Sequence, residues 1–226
     1  MIKDSQKTSN GKLLPVLIWA GLFAVAMAFV ESAVVVYLRK ITYPEGFSFP
    51  LKTIPLSVLL IELGREAATL LMLLSVAVLA VKRFQQRAAL FAYLFGIWDI
   101  FYYIWLKLCI DWPSSLLEWD ILFLIPLPWT APVLAPVLVS LGFISGSLVI
   151  LYSCQKGSPI DFNRQDVWIG VLVLGIILVS FLWNAGNVLR QQPLQAYRWE
   201  LLAAGAALTG LRIFSRKRTR SGQKKE

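Results

Sequence analysis

Histidine is absent from all 226 residues, and that absence removes a large block of chemistry. Ser–His hydrolysis, His-Glu-x-x-His metalloprotease sites and His-ligated haem or zinc all need an imidazole. Cysteine is nearly absent too. Cys109 and Cys154 are the only two, and they form no Cys-x-x-Cys pair, so no redox or thiolate metal spacing is spelled out. A glycine-rich phosphate loop is also lacking. Charge is thin: 15% of residues are charged and 58% are hydrophobic, against about 25% and about 45–50% in soluble domains. A chain so poor in charge cannot cover a soluble globule. A soluble enzyme, a secreted disulfide scaffold and a disordered chain are therefore excluded.

What the chain has instead is apolar length. Six segments can cross a bilayer, at residues 13–38, 54–81, 88–110, 131–152, 167–189 and 199–214. About 20 apolar residues suffice for a crossing, and lipid offers no partner to a free N–H or C=O, so each must be helical. The expected fold is all-α, a polytopic transmembrane helix bundle of about six spans. It forms one domain over residues 13–214, between an N-terminal tail at 1–12 and a basic tail at 215–226. Ala26-Met27-Ala28 resembles a signal-peptidase site, but the apolar run continues to Leu38, so the first segment reads as an uncleaved anchor.

Two spans are unusual. The last is short, roughly 24 Å at 1.5 Å per residue, although Arg198 and Arg212 can snorkel to lengthen it. Its run of Ala203, Ala204, Gly205, Ala206, Ala207 and Gly210 suits close helix–helix contact, within the bundle or with a membrane-protein partner. The fourth is preceded by Trp119–Pro132, with three prolines in seven residues at Pro126, Pro128 and Pro132. Proline breaks a helix interior. Residues 119–129 are therefore expected to be an interfacial or re-entrant piece, with the span proper starting near Pro132.

Positive charge orients the bundle. With the N-terminus cytoplasmic, 15 basic residues fall inside and 6 outside, including Arg39, and Arg65 lies within a span. Both termini are then cytoplasmic, and the plasma (inner) membrane is the expected location. The net charge of +9 is mainly an orientation signal. The basic tail can also hold anionic lipid headgroups, whereas a nucleic-acid partner is not expected of a tail placed directly after a span. The same topology puts Cys109 and Cys154 at opposite ends of their spans, too far apart for a disulfide. Trp112, Trp119, Trp129 and Trp199, with Tyr37 and Tyr43, suit an outer interfacial belt, and Trp168 suits an inner one. The aromatic loop Tyr43–Pro50 could lid a site or simply turn at the membrane surface.

The ionisable residues inside the spans carry the functional signal. Glu62, Arg65 and Glu66 share one face of the second helix, with Thr69 a turn further on. Asp99 lies on the third helix with Tyr102 and Tyr103, Glu31 lies on the first, and Asp120 stands at the edge of the Pro-rich segment. Glu31 and Glu62 are about 9–12 Å deep, and Arg65, Glu66 and Asp99 about 16–18 Å deep. Such charges cost at least about 2.5–3.5 kcal/mol each and face inward. Four acids meet one arginine, so the remaining carboxylates are either protonated or hold a cation.

Three readings follow. In the first, the chain is a small transporter or permeation protein for a proton, cation or small solute, with Glu62, Glu66 and Asp99 as coupling acids and Arg65 as counter-charge. In the second, it is an intramembrane enzyme on a lipid or polyprenyl substrate. The same three carboxylates would then hold a divalent ion or act as acid and base. In the third, it is a structural or assembly subunit in which Arg65 pins the second helix to the third through Asp99.

Overall fold

The computed structural model describes residues 13–52 and 55–222, and side chains up to residue 216. The N-terminal tail at 1–12, Ile54 and most of the basic tail's side chains thus lie outside the described residues. Helix α1 covers Leu13–Thr42, α2 Leu56–Ala80, α3 Phe84–Ile110, α4 Leu134–Gln155, α5 Arg164–Leu182, α6 Ala185–Leu189 and α7 Trp199–Gly222. Sequence punctuation sets their ends. Pro44 ends α1 two residues after Thr42, because the residue before a proline avoids helical backbone. Pro55 precedes the first residue of α2 and supplies its extended entry. At the end of α3, Asp111 turns left-handed (φ 55°) and donates its N–H back to Lys107 O at 3.0 Å.

Five helices are long and apolar enough to cross a membrane: α1, α2, α3, α4 and α5 with its continuation to Leu189. Their outward side chains are large and apolar, such as Trp19, Leu79 and Trp168, as expected of surfaces that face lipid. The sixth expected span is α7, whose apolar stretch is bounded by Glu200 and Arg212. That stretch is too short to cross alone, where about 20 residues are needed.

The chain folds as two compact units. In the first, α3 packs against α1, α2 and α4. Tyr93 OH donates to Leu17 O at 3.4 Å and Ser32 Oγ to Tyr102 O at 3.0 Å, so α1 and α3 run parallel. Gln85 meets Cys154 and Asp99 meets Ser140, so α4 runs opposite to α3, and the three-residue link between α2 and the α3 it packs on turns α2 the same way as α4. Gly96 lets α4 come close: a Cβ there would lie 2.7 Å from Ser140 O and 2.9 Å from Ile144 Cγ1.

The second unit holds residues 121–131 and α5 to α7. Helix α7 returns antiparallel along α5. Tyr197 OH meets Ser180 Oγ at 2.9 Å, a Cβ on Gly205 would touch Ile177 and Val173, and Arg212 Nε donates to Asp166 Oδ1 at 2.6 Å. The small-residue run of α7 thus meets α5 at Gly205. Asn184 stands between α5 and α6, as the residue that caps the start of α6. Its side chain accepts from Gln195 N–H at 2.8 Å and donates to Gln195 O at 3.1 Å.

Residues 119–132 form a two-stranded ribbon, β1 at Trp119–Phe123 and β2 at Trp129–Pro132. The Pro-rich piece before the fourth span is thus non-helical, as its prolines require, and it takes the form of paired strands. Strand pairing satisfies the backbone as a helix would, and Pro126 and Pro128 fall in the connection, where no ladder donor is needed.

Candidate functional site

The charged residues of the first unit are gathered by the pitch of their own helices. On α2, Glu62, Glu66, Thr69, Leu73 and Ala77 form the buried stripe. On α1 the stripe runs through Ala24, Ala28, Glu31, Ser32 and Val36 to Arg39. Glu31, Glu62, Glu66, Asp99 and Asp120 are all buried, each exposing at most 8% of its surface.

Arg65 is the centre of the first group. Its Nε and Nη2 donate to Glu62 Oε2 at 3.0 and 2.6 Å, and Nη1 pairs with Glu31 Oε1. Thr69 Oγ1 donates to Glu31 Oε2 at 3.0 Å. Arg65 and Thr69 therefore grip α1 through one carboxylate. The expected Arg65–Asp99 link is replaced, because Asp99 Oδ2 instead accepts from Ser140 Oγ of α4 at 2.8 Å. Tyr103 is buried and Tyr102 partly so, and their rings meet edge to face at 5.0 Å. Tyr102 also supplies the carbonyl that receives Ser32.

A second group lies two turns further along α1, about 12 Å from Glu31 by helical rise. Arg39 Nη2 donates to Asp120 Oδ1 at 2.8 Å, and both residues are buried. The guanidinium carbon sits 3.8 Å from the Trp112 ring centre and 4.4 Å from that of Phe47. Trp112 Nε1 donates to Glu118 Oε1 at 2.6 Å. Arg39, counted among the outer basic residues, is a buried partner of Asp120. Trp112, assigned to the outer aromatic belt, is buried against that cation.

Sequence reasoning missed Arg39, Ser140 and Trp112. Arg39 carried a usable signal, since it follows Ser32 by seven residues and so shares its face of α1. Ser140, a lone hydroxyl in an apolar helix, carried none. Glu62, Glu66 and Asp99 do not converge as a metal set: among the described residues no group of three or more His, Cys, Asp or Glu side chains is arranged to hold an ion.

Two arginines and five acids therefore occupy the interior of a helix bundle built for lipid. Fold and composition define an integral membrane protein with several spans. No protein-family model, curated protein or solved structure matches the chain.

Proposed function

We propose that this protein is a small transporter or permeation protein for a proton or a small cation, and that the buried acids of α1, α2 and α3 form its path. The observation that carries the reading is the charge imbalance. Glu31, Glu62, Glu66, Asp99 and Asp120 face Arg39 and Arg65, which leaves three negative charges in formal excess at membrane depth. Charges there are costly and mark ion or proton routes. The excess supports carboxyls that take up and release a proton, or that accept a passing cation. The orientation that fits the basic residues puts both termini in the cytoplasm, with α7 as the sixth crossing beside α5 in a plasma membrane. The basic tail then meets anionic lipid headgroups.

A helix lock is the competing reading, and Arg65 supports it by joining α1 to α2. The test is flux measured beside stability. The purified protein is reconstituted into vesicles carrying a pH dye or a sodium dye, and a potassium diffusion potential is imposed. Wild type should pass one of the two ions faster than empty vesicles. Glu66→Gln and Asp99→Asn should fold normally and lose that flux, while Glu200→Gln, at the exposed start of α7, should keep it. Flux equal to empty vesicles would overturn the reading. Collapse of both acid variants in detergent would assign the cluster to the lock.

A further inference from the structure

We propose that Phe47, Trp112 and the Arg39–Asp120 pair form a gate that closes one end of the acid-lined interior, with residues 43–52 as its lid. The inference rests on the permeation reading and adds to it the place where the path is shut.

The lid is a folded unit. Its turn brings Gly46 N–H to Tyr43 O at 3.0 Å and needs φ of 114° at Gly46, a backbone that only glycine adopts without strain. The N–H of Lys52 donates to Tyr43 OH at 2.7 Å, which closes the loop on itself. Inside it, Phe47 meets Tyr43 and Phe49 edge to face at 5.3 and 5.4 Å. Phe47 also reaches the bundle. It lies on the Arg39 guanidinium and 6.2 Å from Trp112.

Beneath the lid, the pair is held but not saturated. Arg39 Nη2 has Asp120, and two aromatic faces cover the cation. Its Nη1 is also buried and has no hydrogen-bond acceptor among the described residues. A desolvated donor without a partner destabilises the closed arrangement. Lifting the lid would give Nη1 water, so the opening that exposes the interior also satisfies the atom that closure leaves wanting. Closure is opposed by that donor and favoured by the ion pair and the rings, which is the balance a two-state element needs.

Ser32 reports the state of the gate. It is fully buried and lies two turns below Arg39 on the same face of α1. Ser32→Cys is made in a Cys109→Ser/Cys154→Ser background, in the full chain held in nanodiscs, and the rate of reaction with a charged, water-soluble thiol reagent is measured. With the gate intact the reaction should be slow. Phe47→Ala or Asp120→Asn should speed it about tenfold, the change expected when opening becomes about 1.4 kcal/mol easier. Glu200→Gln, at the exposed start of α7 and outside the unit that holds Ser32, should leave the rate unchanged. Equal rates with and without Phe47, or an equal rise from Glu200→Gln, would overturn the gate. Vesicle flux decides permeation separately: a Ser32→Cys rate that responds to Phe47 in a protein without flux keeps the gate and rejects the path.

Discussion

Glu118 shows how much a single residue can hold. Its carboxylate accepts from Trp112 Nε1 at 2.6 Å and from Ser114 N–H and Oγ at 2.7 and 2.8 Å. Burial pushes this carboxyl up, but hydrogen bonds from Ser114, Trp112 and the Ser115 backbone outweigh that and keep it below its ordinary value of 4.5. A folded value below the unfolded one gives stability that is complete above the unfolded value and lost as pH falls through the folded one. The melting difference between wild type and Glu118→Gln should therefore be flat from about pH 8 to about pH 5 and shrink only in stronger acid. A difference that already shrinks near neutral pH would contradict the hydrogen-bond count. The charged residues of α2 and α3 were readable in the sequence because a charge in an apolar run has no neutral explanation. Arg39 was passed over, because a basic residue at a helix end is ordinary until its burial is seen, and only its seven-residue spacing from Ser32 hinted at an inward face. Its partner Asp120 was singled out, but 81 residues separate the two, and pairing at that range leaves no local trace.

At the scale of the element, the helices followed from apolar length and their ends from proline and left-handed turns. The ribbon at 119–132 did not follow. Three prolines forbid a helix there, but they do not tell a strand pair from an irregular loop, and the pairing of β1 with β2 depends on register that no single segment encodes. Contact between α3 and α4 was equally hidden, since Gly96 looks like any glycine in an apolar helix. Its role is close approach, with Ser140 O only 2.7 Å from where a Cβ would stand. That atom is backbone and cannot swing aside. Gly96→Ala should therefore destabilise the first unit by about 1–3 kcal/mol, the usual range for overpacking, and weaken the Ser140–Asp99 hydrogen bond one turn away. Thermal unfolding in detergent measures it, and an unchanged midpoint would mean that α4 can shift at no cost.

Across the whole molecule, class was legible from composition alone, while the division into two units was not, because both are built from the same apolar helices. Helix α7 belongs to this scale, since its neighbour decides its fate. Alone, the stretch between Glu200 and Arg212 is too short and too flanked by charge to be a strong membrane segment. With α5 present, Arg212 meets Asp166 and Tyr197 meets Ser180. A reporter on the C-terminus should thus read cytoplasmic with a protected α7 in the full chain. The fragment 190–226 expressed by itself should be recovered in the soluble or carbonate-extractable fraction. Stable insertion of that fragment would show that α7 needs no template. As the proposed sixth crossing, α7 would dock onto an α5 that has already left the ribosome rather than partition independently. Any lesion that delays α5 would strand the C-terminal segment in water, where a quality-control protease would meet it first.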